Sequence, residues 1–282
     1  MVNYNGDLLP DTSHFLNNEN RALRFGDALS ERVRYTGQNL LFLEDHYFRL
    51  MAAMRQLRME IPMSFTLEYL EEEIRKSLLA SGLESNPSLV EMQVVRNGGR
   101  GYLPETREIS YIIEAQPLKE AKFTLGKPPF AADLFKDYYL PADALARLPH
   151  NNKLTHVLAS IFASENDLDT CLLVNHRKEM AEGLHGNLFL RKGDQIKTPP
   201  LESGCRAGIL RAYLLKQGLA ENSFELVEAA ISPFELQQAD ELFLLDIAHG
   251  VQPITRYRKA TYSQEAASLV RDILNAMIPE AS

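Results

Sequence analysis

Three short stretches hold residues whose types and spacing allow chemistry. In SGCRAGILR (203–211), two glycines lead into a helix that opens at Gly208. Backbone N–H groups at such a start suit a phosphate. In AEGLHGNLF, Glu182 precedes two glycines between apolar strands, where a carboxylate can partner a buried protonated nitrogen. In His46-Tyr47-Phe48-Arg49, the guanidinium of Arg49 beside an apolar helix face can clamp an anion. Each also has an ordinary counterpart: a loop-to-helix junction, a turn carboxylate, an arginine that snorkels to solvent.

These stretches need elements to hold them. LLFL (40–43) reads as a buried strand end, and a helix follows from His46 with Leu50, Met54, Leu57 and Ile61 at helical spacing, stopping near Pro62. A second helix is expected from Thr66 to Ser81, with Leu67, Leu70, Ile74 and Leu78 on one face and Gly82 just past its end. LVEMQVVR (89–96) and EISYIIEA (108–115) read as antiparallel strands around the glycine-rich turn NGGRGYLPET. The pattern breaks at QPLKEAKFTLGKPP (116–129). Beyond it, Asn151 or Asn152 is placed to cap a helix through Glu165, with Leu154, Val157, Leu158, Ile161 and Phe162 apolar. CLLV (171–174), NLFL (187–190) and ELFLLDI (241–247) read as strands, and RKGDQIKTPP completes a hairpin. Helices follow at 208–217, after the capping box Ser232-Pro233-Phe234-Glu235, and from Ser263 to Met277. The reading is an α+β lobe over 1–117 and a larger mixed α/β lobe over 118–282.

Composition bounds the class. The 282 residues are 45% hydrophobic and 24% charged, which are globular values. No apolar run approaches the roughly 20 residues of a membrane helix, and the first fifteen residues lack the basic and apolar regions of a secretory signal. Thirty basic residues against 38 acidic ones, a net charge of −8, argue against non-specific nucleic-acid binding but not against a small anionic ligand. Cys171 and Cys205 are too few for a disulfide framework and too isolated for zinc, so no metal is expected and the cytoplasm is the natural compartment.

In their order along the chain, RALRFGDALSERVR (21–34), LFLEDHYFRL, EGLHGNLF, GILR and ADELFLLDIAHGVQPI (239–254) resemble the class IV aminotransferases. These are the fold-type IV pyridoxal phosphate enzymes, which include branched-chain and D-amino acid aminotransferases and aminodeoxychorismate lyase. The resemblance implies a two-domain fold with the cofactor, pyridoxal 5'-phosphate, in a cleft between the domains. It also implies a homodimer and an amino-acid-type substrate. Glu182 matches the carboxylate on the pyridinium nitrogen and Arg49 the phosphate arginine. Ile209 and Leu210 match the positions whose N–H groups cradle the phosphate, and Asn187 a structural position of the motif.

The same resemblance exposes departures. Counting back from CLLV, the Schiff-base lysine falls on Pro149, and the lysine close by is Lys153, four residues on. Four helical residues span about 6 Å, roughly a lysine's reach, so Lys153 is the catalytic candidate. Ser30 replaces an aromatic residue beside the cofactor. Asp246 and Ile247 stand where relatives offer hydroxyls or an amide to the phosphate, with His249 as a local cation. Two readings follow: a class IV aminotransferase or lyase using Lys153, or a catalytically silent member that binds a small anion or a protein.

Overall fold

The structure, a computed structural model, describes residues 1–219 and 224–279; residues 220–223 and 280–282, the end of the expected second lobe included, lie outside the description. The chain forms two compact units. The first comprises Met1–Ala121 and Pro149–Asn152, the second Lys122–Leu148 and 153–279.

The first unit holds β1 (Val2–Tyr4), β2 (Asp7–Leu9), α1 (Arg21–Phe25), β3 (Ala28–Thr36), α2 (Leu43–Gln56), α3 (Leu67–Ala80), β4 (Pro87–Arg96) and β5 (Ile109–Pro117). Its sheet is antiparallel in the order β2-β1-β5-β4-β3. α3 forms where the spacing places it. The Thr66 hydroxyl accepts from the Tyr69 N–H, the Leu70, Ile74 and Leu78 face is buried, and Gly82 at φ +67° lets the chain turn away. LLFL is not a strand. Leu40 makes a single bridge to Tyr35, and Leu43 already opens α2, because the helical face of Leu50 and Met54 extends the helix back past His46. Segment 149–151 lies along β3: Pro149 O accepts from Ser30 N–H at 2.6 Å, and Asn151 N–H donates to Ala28 O at 3.1 Å. A proline suits this edge because only its carbonyl is needed.

The second unit holds β6 (Ala131–Leu140), α4 (Leu154–Glu165), β7 (Thr170–Asn175), β8 (Met180–Gly183), β9 (Asn187–Lys192), β10 (Gln195–Thr198), α5 (Ile209–Gln217), β11 (Glu225–Glu228), β12 (Glu241–Asp246), β13 (Gly250–Ile254), β14 (Arg256–Tyr257), β15 (Ala260–Thr261) and α6 (Glu265–Ala276). Two mixed sheets run β11-β10-β9-β12-β13 and β15-β14-β6-β7-β8. β6 and β7 are parallel, with α4 as their crossover, and every β7 side chain is buried, as an unbroken CLLV run requires. Phe189 and Phe243 face each other in the β9–β12 register and stack at 5.0 Å. Leu134, Leu172, Leu188, Leu242 and Leu244 pack into one core cluster with Ile254 and Tyr257.

Two expectations for this unit are corrected. α4 is preceded by Lys153 at the cap position rather than by Asn151 or Asn152, whose side chains bond Gln93 and the Gly26 carbonyl instead. Its buried face is Ala159 and Ala163, while Leu154, Val157 and Ile161 are 72%, 52% and 48% exposed. The Ser232–Glu235 capping box forms, with Ser232 N–H donating to Glu235 Oε1 at 2.9 Å, but only a 3-10 turn over 235–238 follows.

Candidate functional site

Glu182 is the last residue but one of β8, in the second unit. The turn after it is built by close approach: a Cβ on Gly186 would lie 2.6 Å from the Leu245 carbonyl oxygen, so β9 can reach β12 only past a glycine. The carboxylate is buried, and both its oxygens are taken. His156 Nε2–H donates to Oε1 at 2.7 Å from the first turn of α4. Arg206 closes the other side, its backbone N–H and Nε donating to Oε2 at 2.8 and 2.9 Å and Nη2 to Oε1 at 3.2 Å. Burial alone would push the Glu182 carboxyl up. Arg206 and then His156 outweigh it and hold the acid well below the usual carboxylate range. Burial likewise works against the charge of Arg206, yet Glu182 and more distantly Asp246 hold it above its ordinary value.

Asn187 and Gly208 fix where Arg206 goes. Asn187 Nδ2 donates to the Arg206 carbonyl at 2.9 Å, and its Oδ1 lies where a side chain on Gly208 would have to sit. The structural role expected of Asn187 therefore has a mechanism: it pins the loop that carries the arginine. α5 then starts from extended backbone at Gly208 with no side-chain cap, leaving the first N–H groups, at Ile209 and Leu210, without a side-chain acceptor. Both residues are buried. Arg206 Nη1 has no hydrogen-bond partner among the described residues, and the side chain is 22% exposed.

Next to this cluster, β12 ends in Asp246. Its Oδ1 accepts from the backbone N–H groups of Ala248 at 2.9 Å and His249 at 3.3 Å, and lies 3.0 Å from His249 Nδ1. The carboxylate is thus folded onto the turn's own donors. The His249 ring, 53% exposed, lies beside His185 with centroids 5.4 Å apart. Ile247 is buried. Lys153 is half-buried at the mouth of α4, and its carbonyl accepts from Val157 N–H. It shares a helix end with His156, whereas Pro149 belongs to the β3 edge of the first unit.

Arg49, expected on a phosphate, points its fork at a carboxylate of its own unit. Nε donates to Glu31 Oε1 at 2.8 Å and Nη2 to Glu31 Oε2 at 2.6 Å. His46 Nδ1, one turn earlier in α2, donates to Glu31 Oε2 at 2.8 Å, while His46 Nε2 is buried without a partner. The ionised acceptor sets the tautomer, with the proton on Nδ1. Burial pushes the Glu31 carboxyl up, but Arg49 and His46 bring it down to about 2. Ser30, one residue before, donates through its hydroxyl to Glu91 at 3.0 Å. Arg96 is spent on Asp27 and the Leu57 and Arg58 carbonyls.

The sequence matches the description Amino-transferase class IV over residues 28–257. The chain belongs to the class IV aminotransferase family. A "Putative branched-chain-amino-acid aminotransferase" of Methanocaldococcus jannaschii is 27% identical over 235 residues, 82% of this chain and 79% of its own. "D-alanine aminotransferase" of Bacillus licheniformis is 26% identical over 261 residues, 90% and 87% of the two chains. Among solved structures, 4-amino-4-deoxychorismate lyase of Pseudomonas aeruginosa superposes with a TM-score of 0.81 at 24% identity over 99% of both chains. The branched-chain aminotransferase of Thermoproteus uzoniensis, solved with norvaline, gives 0.84 at 20% identity, covering 97% of this chain and 92% of its own. The fold is therefore that of the fold-type IV enzymes, as the motifs imply.

The residues present fit a resident pyridoxal phosphate poorly. A pyridinium nitrogen needs a carboxylate oxygen facing it, and both Glu182 oxygens already accept from Arg206 and His156. A phosphate needs unoccupied donors, and at the turn after β12 the Ala248 and His249 N–H groups already bond a carboxylate, which leaves the Ile209 and Leu210 N–H groups at the α5 start. An aldehyde needs an amine, and Pro149 supplies none where the resemblance places it, Lys153 lying four residues on. Sequence reasoning named Glu182 but missed Arg206 and His156. The available signal for Arg206 was a single charge among the serine, glycine, cysteine and alanine of residues 203–208.

Proposed function

We propose that this chain is a class IV aminotransferase-family protein that works by binding, without Schiff-base catalysis, and that its ligand is a small, amino-acid-type carboxylate. The observation that carries this is Pro149, standing where the resemblance places the lysine and held to β3 through its carbonyl. The ligand class rests on Arg206. Two of its nitrogens are committed to Glu182, and the remaining one faces accessible space next to the uncapped start of α5. One guanidinium edge plus helix-start N–H groups suits a carboxylate of modest charge.

The same reading includes a homodimer in the cytoplasm. Leu154, Val157 and Ile161 form an exposed apolar row on α4, which a second copy would cover. Both cysteines are buried free thiols, as a reducing compartment permits, and no described helix is long and apolar enough to cross a membrane.

Titration with pyridoxal 5'-phosphate is expected to leave no protein-bound visible absorbance band. In the same preparation, a panel of 2-amino and 2-oxo acids should contain members that raise Tm. A persistent yellow band would overturn the reading and return Lys153 to the role of Schiff-base lysine, with an aminotransferase or lyase reaction to assay.

A further inference from the structure

We propose that Arg206 and Asp246 are built-in stand-ins for the two charged ends of the family's cofactor, and that together they keep phosphorylated pyridines out of the second unit. This rests on the binding reading above and extends it to how the site became selective. Arg206 presents to Glu182 what a pyridinium would present: a positive charge and N–H donors aimed at the carboxylate, at 2.9 and 3.2 Å. Asp246 presents to the Ala248 and His249 N–H groups what a phosphate would present, a negative charge with an accepting oxygen at 2.9 and 3.3 Å.

The pair is internally consistent. Asp246 contributes to holding Arg206 charged, so each stand-in sits in the field of the other. Two carboxylates, Glu182 and Asp246, stand against the one guanidinium, with His156 and His249 as their further partners. A phosphate arriving there would displace or face Asp246. A protonated ring nitrogen arriving at Glu182 would compete with a guanidinium anchored through Asn187 and its own backbone N–H. A substrate carboxylate meets neither obstacle, because it needs only the outer nitrogen of Arg206.

The probe is pyridoxine 5'-phosphate, which lacks the aldehyde and so reports the site without any Schiff base. Binding is measured by fluorescence or equilibrium dialysis to the full-length wild type, to Asp246→Asn, and to Arg206→Leu combined with Asp246→Asn. Asparagine keeps an oxygen acceptor for the turn N–H groups, so the single variant retains the local fold. The expected result is negligible binding to wild type, at least a threefold gain in Asp246→Asn, and at least a tenfold further gain in the double variant. A double variant that fails to fold by circular dichroism leaves the single variant to decide. Unchanged binding in Asp246→Asn, or wild-type binding as tight as that of the variants, overturns the proposal. A visible band with the aldehyde form would instead overturn the binding reading, so the two failures are distinct.

Discussion

Each unit of this chain has a buried glutamate held by one arginine and one histidine, and the two clusters are assembled differently. In the first unit, Glu31 is fully buried, His46 is nearly so, and Arg49 and His46 come from adjacent turns of one helix. That cluster fastens α2 to β3, with the Arg49 side chain 23% exposed at its edge. In the second unit, the partners of Glu182 come from separate elements, the start of α4 and the loop before α5, and Arg206 and His156 retain 22% and 14% exposure. The same three residue types join one helix to one strand in the first case and gather separate elements in the second. The difference lies in which elements supply the cations and in the histidine, 2% exposed at His46 against 14% at His156.

The comparison can be broken first at its strongest point. Arg49→Leu should strand Glu31 in a dry interior with only His46, costing about 3–5 kcal/mol, read as a fall in the denaturant midpoint. Arg206→Leu should cost less, about 1–3 kcal/mol, because Glu182 keeps the Arg206 backbone N–H and His156 as donors. Equal losses would mean that the two clusters are alike.

Next in size comes the response to acid. Burial pulls the His46 pKa down against the pull of Glu31, so the native ring resists protonation. A depressed group stabilises the fold above its unfolded value and loses that contribution as pH falls. Tm should therefore begin to decline below about 6.5, where the unfolded histidine takes up a proton. Glu31, lowered from 4.5 to about 2, adds a second decline between those values. His46→Gln should flatten the first limb and leave the second, and an unchanged first limb would show that His46 is not its source. The smallest effect is expected on assembly. Val157→Glu on the exposed α4 row should shift light-scattering mass from two chains to one with Tm nearly unchanged, and a mutant that stays dimeric would move the interface elsewhere.

Much of this was legible in the sequence where contacts are local. α3 is specified by Thr66, by the Leu70, Ile74 and Leu78 row and by Gly82, all within one stretch, and the β9–β10 hairpin by its turn. Glu31 was not singled out, because no strand was read over 28–36, where it shares parity with buried Leu29, Val33 and Tyr35. Long-range pairings were not legible. The bond from Arg206 to Glu182 spans 24 residues and that from His156 spans 26, and no spacing rule reports either. α4 misled for a different reason: its fully buried residues are the small Ala159 and Ala163, with Leu158 and Phe162 packed beside them, while Leu154, Val157 and Ile161 point outward.

One measurement bears directly on the proposal that this family member forms no Schiff base. The purified chain is incubated with pyridoxal 5'-phosphate, reduced with borohydride, digested and mapped by mass spectrometry. The account predicts no stoichiometric phosphopyridoxyl adduct on any peptide, the one containing Lys153 included. A stoichiometric adduct confined to Lys153 would contradict it and establish a relocated catalytic lysine.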